Sequence, residues 1–339
     1  MNYLIATLTT VLPILLAAVP PAAAAGAGEL KCAELRPAVK SLKVMTMEPR
    51  RRGKAWLEGA PKTIFYTACD PRGLKTEEAE YQQKNLVLKT RFVHKSREDS
   101  KLICDALKSE EKLTSTFSEE ARSSLDDFCR NNRKKDFDAV LVYDASPGTA
   151  SADPQKPIRQ IFRLYNSKGF PSEEYAFDPS AELETRTLYR YDSKNNLLEK
   201  TDYGPQDDQL RRETYASDKL TASRTISLFG ANDQLVKKTV YEYREDGALR
   251  RETATSYDAG EQALAKTVFL YGAKGGRETE LVFQGDLEKQ DHEYRYSYKS
   301  DVKGNWTEER KVKLNLYEDK RFEDPRVAPQ ITKREIIYY

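Results

Sequence analysis

A mainly β fold is predicted for this chain: a long antiparallel repeat meander, drawn as an open twisted sheet, preceded by a small α+β region with a helical hairpin. Three observations predict it. From Tyr165 to Tyr298 an aromatic residue returns every twelve to fifteen positions, at Tyr165, Phe177, Tyr191, Tyr203, Tyr215, Phe229, Tyr243, Tyr257, Tyr271, Phe283 and Tyr298. Self-similarity at a fixed period signals a repeat architecture. Short polar turns rich in Gly, Asn and Asp follow most of these anchors, which breaks the chain too often for long helices. The stretches between them are dense in Tyr, Thr and Val, residues that suit a pleated surface.

In chain order, residues 1–25 read as a signal peptide. Leu4 to Val19 is an apolar run interrupted by Pro13, and Pro20-Pro21-Ala22-Ala23-Ala24-Ala25 supplies small residues for cleavage. The run falls short of the ~20 apolar residues that a spanning helix needs. A periplasmic or secreted location is therefore expected, with no transmembrane span after cleavage.

Residues 26–136 form the expected α+β region. Ser41 to Met47, Lys62 to Ala68 and Asn85 to Val93 alternate as strands do, whereas Ser96 to Lys112 and Thr116 to Asn131 read as two helices. Thr116 and Glu119 resemble a capping box for the second helix. Cys32, Cys69, Cys104 and Cys129 all lie in this region, and an even number of cysteines in an exported chain implies disulfides. Three pairings are possible. Folding the helices back on one another brings Cys104 level with Cys129, so Cys104–Cys129 is expected and, by elimination, Cys32–Cys69. Zinc is the competing reading, but the sequence contains no Cys-x-x-Cys pair, and both histidines lie far from the cysteines.

Residues 137–339 are expected to form the repeat sheet. Entry is through the apolar strand Phe137 to Tyr143, and Ala145 to Gln155 follows as a Pro/Gly loop. The clearest unit runs from Tyr243 through Asp246-Gly247 and Leu249 to Tyr257. An Asp-Gly pair between alternating runs is a strong hairpin signal, because Gly tolerates the positive φ that the turn needs. Asn195 stands in for Gly at the same place in its unit. One strand of about eight residues plus a turn of about four to six gives a period near fourteen. The N-terminal region is expected to cap this array, since repeat arrays need their exposed ends covered.

The pattern Tyr-Asp/Asn-x-x-Gly/Asn-x-Leu at Tyr191 and Tyr243, and loosely at Tyr165, resembles the YD repeat of the Rhs/YD-repeat family. Tyr298 to Thr307 and the closing Ile331 to Tyr339 resemble small secreted bacterial members of that group. The resemblance covers roughly residues 140–339. Large members wrap their repeats into a shell around a C-terminal toxin. This chain departs from them in having few repeats and a strand-like end. Asp70-Pro71-Arg72-Gly73-Leu74 is similar to the family's processing motif, but it precedes the repeats and reads as an ordinary turn.

The chemistry is sparse. The formal net charge is +2, with 56 Lys/Arg against 54 Asp/Glu, and the two signs are mixed along the strands. Nucleic-acid binders cluster their basic residues on one face, and only Arg50-Arg51-Arg52 and Arg130 to Lys135 approach that, as solvated runs. His94 reads as a structural strand residue and His292 as a solvated one. No nucleophile elbow, phosphate loop or zinc-protease motif is present, so neither a catalytic site nor a cofactor or metal is expected.

The candidate ligand face is aromatic. Tyr189/Tyr191, Tyr241/Tyr243 and Tyr294/Tyr296/Tyr298 are spaced by two, which sends each group to one side of its strand. Their plainest role is cross-strand packing with wet hydroxyls. Their functional reading is a platform for an extended envelope polysaccharide. An exported, non-catalytic binding or structural protein is expected. The alternatives are a protein-interaction scaffold docking an immunity or assembly partner, and an unrecognised hydrolase.

Overall fold

A computed structural model describes residues 38–71, 73–82, 85–93, 104, 119, 137–144, 158–180, 182–317 and 320–339. The N-terminal strands begin with β1 (Val39–Met47), which buries Val39, Ser41, Met45 and Met47 on one side. β2 (Arg50–Arg52) and β3 (Ala55–Leu57) make a separate small hairpin. It leaves the arginine run exposed, with Arg51 stacked 5.6 Å from the Trp56 ring centre. β4 (Pro61–Cys69), β5 (Lys75–Gln82), β6 (Asn85–Val93) and β7 (Phe137–Asp144) then pair in sequence. The strands expected at Ser41–Met47, Lys62–Ala68, Asn85–Val93 and Phe137–Tyr143 are all present, within a residue or two at each end.

The segments of the expected helical hairpin fall almost wholly outside the described residues. Only Cys104 and Glu119 are described there, both in helical conformation, and two isolated residues give no support to a pair of packed helices. Cys69 and Cys104 are each disulfide-bonded. Cys32 and Cys129 lie outside the described residues, as do the signal segment, His94 and the 145–155 loop.

The meander continues through β8 (Arg159–Tyr165), β9 (Pro171–Phe177), β10 (Leu183–Tyr191), β11 (Leu197–Tyr203), β12 (Gln209–Asp218), β13 (Ser223–Phe229) and β14 (Leu235–Tyr243). It runs on through β15 (Leu249–Tyr257), β16 (Ala263–Tyr271), β17 (Arg277–Gln284), β18 (His292–Ser300) and β19 (Trp306–Tyr317). β20 (Lys320–Glu323) and β21 (Gln330–Tyr338) complete it, every pairing being antiparallel.

One turn chemistry generates most of the hairpins. In the unit at Tyr191, the Asp192 N–H donates to the carbonyl of Asn196 at 2.9 Å and the Asn195 N–H to the carbonyl of Asp192 at 3.0 Å. Asn195 has a φ of 64°, and Tyr191 then pairs with Leu197 across a register shift. This is a tight turn followed by a left-handed bulge residue, which tilts the next strand back with the sheet's own twist. The Asp of the repeat holds the turn from inside, its Oδ1 accepting the N–H groups of Lys194 and Asn196, each at 2.8 Å. Asp258 and Asp301 make the same pair of bonds in their own turns. The Tyr-Asp signature is thus a strand end plus a turn clamp.

Whether this sheet stays open or curls is not legible in the repeats, and the pairing settles it. β1 bonds to β21 on one side and to β4 on the other, while β9 bonds to β10. Following hydrogen-bonded neighbours from β4 through β19, then to β21 and β1, therefore returns to β4. β20 pairs only with β19, beyond the point where β21 takes over that edge. Eighteen of the nineteen strands of the sheet form this circuit, which removes the long edges that an open meander would present. The repeat strands do not close on themselves. β1, β4 to β9 and β21 complete the ring, so the N-terminal strands belong to the same sheet as the repeats. A circular ring of this many strands spaced about 4.8 Å apart is at least about 27 Å across, wider than side chains alone fill.

Buried apolar side chains are distributed around the circuit, among them Val39, Met45 and Met47 of β1, Val268 of β16 and Val312 and Leu314 of β19. Phe162, Tyr175 and Phe177 are almost fully buried where β8 pairs with β9. There Phe162 and Phe177 meet edge to face at 6.0 Å. Elsewhere both faces mix Thr, Val, Tyr and charged residues.

Candidate functional site

Strand register assigns all seven candidate tyrosines to one face of the sheet. From Tyr241 the pairing runs Tyr241↔Glu252↔Phe269↔Glu280↔Tyr294↔Lys313, with Arg224 opposite Tyr241 on its other side. The aromatics stand on alternate strands, β14, β16 and β18, about 10 Å apart. A carboxylate stands on each strand between them. The arrangement is a lane of ring, acid, ring, acid, ring, closed by a cation at each end. Tyr189 lies on a parallel row opposite Lys200, and Tyr298 opposite Glu309.

Several phenols on this face are tied down. Tyr271 donates to Glu252 Oε2 at 2.6 Å, and Arg277 Nε donates to the Tyr271 oxygen at 3.2 Å. Tyr215 donates to Glu213 Oε2 at 2.6 Å. Tyr296, the most buried of the seven candidates, donates to Glu280, whose carboxylate also takes Lys311 Nζ at 2.7 Å. Tyr298 bonds Glu309 opposite it. Cations lie over several rings: Arg277 is 4.0 Å from the Phe269 centre and Lys311 is 4.3 Å from that of Tyr294. The tyrosines and their partners form a cross-braced polar layer.

Burial pushes the phenols up in pKa. Tyr191 rises to about 12, and Tyr189, Tyr215, Tyr271, Tyr296 and Tyr298 also rise, with neighbouring carboxylates adding to the effect. Loss of solvation disfavours the phenolate, and an adjacent negative charge disfavours it further. Among the described residues, every carboxylate whose pKa departs from the ordinary range goes down. Asp192, for example, is held low by the Asn196 side chain.

The partners Glu252, Glu280, Glu309, Arg277 and Lys311 are absent from the sequence reading. A signal for them existed. Once a turn pairs Tyr243 with Leu249 across a bulge, counting back two residues places Tyr241 opposite Glu252. His292 opens β18 opposite Val282, its ring 6.4 Å from that of Tyr294. Among the described residues no cluster of three or more His, Cys, Asp or Glu is arranged to hold a metal, and no helix is long and apolar enough to cross a membrane.

No protein-family model and no curated protein sequence matches the chain. Solved structures similar to it include a porin-like protein from Bacteroides uniformis, at 8% identity over 88% of this chain and 98% of that one, with a TM-score of 0.40. A porin-like protein from Bacteroides vulgatus is similar at 9% identity over 89% and 98%, with a TM-score of 0.34. Likeness at these scores carries no functional argument.

Proposed function

We propose that this chain is an exported, non-catalytic binding or structural protein of the bacterial cell envelope, of the YD-repeat type, whose tyrosine face receives an extended polysaccharide. The observation that carries the reading is the lane from Arg224 to Lys313, in which rings and carboxylates alternate over five neighbouring strands between a cation at each end. Rings can stack on the apolar faces of sugars, and carboxylates between them can accept hydroxyl protons. Rigid aromatics hold such contacts at low entropic cost, having few rotatable bonds.

Co-sedimentation of the purified mature chain with isolated envelope polysaccharide tests the reading. The variant to set beside it is Tyr189→Ser/Tyr241→Ser/Tyr294→Ser, shown by circular dichroism to keep its strands. Tyr296 is left intact, because losing its bond to Glu280 would confound binding with stability. Binding by the parent and not by the variant is expected. Equal sedimentation of the two, or of neither, overturns the polysaccharide assignment and leaves the tyrosines as architecture.

A further inference from the structure

The two ends of the repeat sheet differ in charge, and only one of them carries a row of exposed apolar side chains. Antiparallel order places the turns 178–182, 204–208, 230–234, 258–262 and 285–291 together at one end of β9 to β18. They carry ten carboxylates against the single lysine Lys289, whereas the six turns at the opposite end, from 166–170 to 301–305, carry six basic and four acidic residues. One step in from the acidic turns stand Leu210, Val236, Leu264 and Leu316, the first three at the register shifts of their strands. They belong to β12, β14, β16 and β19 and are 40%, 40%, 51% and 68% exposed. The first three occupy the same place in their units, seven residues after Tyr203, Phe229 and Tyr257.

We infer that this rim docks a basic, amphipathic polypeptide segment of another protein. Exposed apolar side chains recurring in one row mark an interaction surface rather than ordinary scatter. The acidic turns beside them select for Lys and Arg on the partner and repel acidic competitors. From β12 to β19 the row spans about 34 Å at the usual strand spacing, the length of about ten extended residues. An anionic lipid surface does not suit it, because the carboxylates stand beyond the apolar row and would meet the headgroups first. Pairing at a strand edge is not available either, since the circuit leaves none of its strands unpaired. The inference is independent of the polysaccharide reading, which concerns the lane of rings and carboxylates from Arg224 to Lys313.

The test uses fluorescence anisotropy of the mature chain with a labelled ten-residue peptide of alternating Lys and Leu. Peptides alternating Lys with Ser and Glu with Leu serve as comparisons. The Lys/Leu peptide is expected to bind at least tenfold more tightly than either. Leu210→Ser/Val236→Ser/Leu264→Ser changes only exposed positions and is expected to abolish that preference. Asp208→Asn/Asp286→Asn/Glu288→Gln is expected to weaken binding severalfold and flatten its salt dependence. Leu220→Ser/Val302→Ser removes two fully exposed apolar residues from the opposite end and is expected to change nothing. Equal binding of the Lys/Ser peptide, or unchanged binding by the triple Leu/Val variant, overturns the inference.

Discussion

Tyr271 and Glu252 lie on strands β16 and β15, and the phenol donates to the carboxylate at 2.6 Å while Arg277 bonds the same phenol from its other side. The relationship explains how polar groups help to hold the shape of a sheet whose buried apolar side chains are distributed around its circuit. Each ring covers apolar surface, and its hydroxyl anchors a carboxylate that would otherwise need water. Arg277, 13% exposed in its side chain, balances that carboxylate at 3.5 Å. Polar layers of this kind stabilise only when each member is satisfied, so single deletions should be felt.

The strongest such deletion is Tyr296→Phe. It leaves Glu280, itself buried, with Lys311 but without its phenol. Losing one hydrogen bond to a buried charged group costs about 1–3 kcal/mol. Tyr294→Phe, on a half-buried ring two residues away, should cost well under half as much. Urea denaturation of the two variants side by side checks this, and equal midpoints would show that the Glu280 bond contributes nothing.

Turn conformation gives a second contrast. Gly247 has a φ of 79°, and a Cβ placed there meets nothing within 4 Å, so Gly247→Ala carries a purely conformational cost of about 1–2 kcal/mol. Asn195→Gly, at the equivalent turn position, should stay within about 0.5 kcal/mol of the parent, because the left-handed strain removed is offset by greater freedom in the unfolded chain. A Gly247→Ala protein as stable as the parent would mean that the turn relaxes to another geometry.

These turns are where the sequence was most readable. Period, strand ends and the left-handed position at Asn195 follow from local chemistry, because a tight turn constrains only five or six neighbouring residues. Face assignment of the tyrosines was readable too, since alternate residues share a side. Closure was not. Lys43 meets Glu335 at 3.0 Å across 292 positions of chain, and nothing local in β1 or β21 announces that pairing. The carboxylate partners fall between these cases: Glu252 and Glu280 lie 19 and 16 residues from their tyrosines, beyond any motif but within reach of register counting.

Alkaline pH should unfold the chain through these same phenols. In the folded state they resist ionisation, Tyr191 rising to about 12, while in the unfolded chain they titrate near about 10. Groups raised in this way contribute stability that is fully present below the unfolded value and is lost as pH rises through the folded one. Stability should therefore be flat to about pH 9 and fall steeply above about pH 10. Tyrosinate absorbance should rise together with loss of the strand signal in circular dichroism. Full ionisation of the tyrosines near pH 10 with the strands intact would show that the phenols are not held as described.

The last prediction concerns the ring itself. Val44 lies in the middle of β1, opposite Arg334 on one side and Phe65 on the other. Proline there removes a ladder donor from a strand bonded on both sides and bends it away from its neighbours. The circuit would open between β21 and β4, presenting two long unpaired edges to other molecules. Val44→Pro should therefore retain most of its strand signal yet show a mass in light scattering that grows with concentration. Arg321→Pro applies the same insult to β20, a strand outside the circuit that pairs only with β19, and should keep the parent's mass. If both variants kept the parent's mass, closure through β1 would not be what protects the sheet. If only Val44→Pro associates, the long-range pairing of β1 with β21 and β4 is the device that lets an eighteen-strand meander exist without an edge.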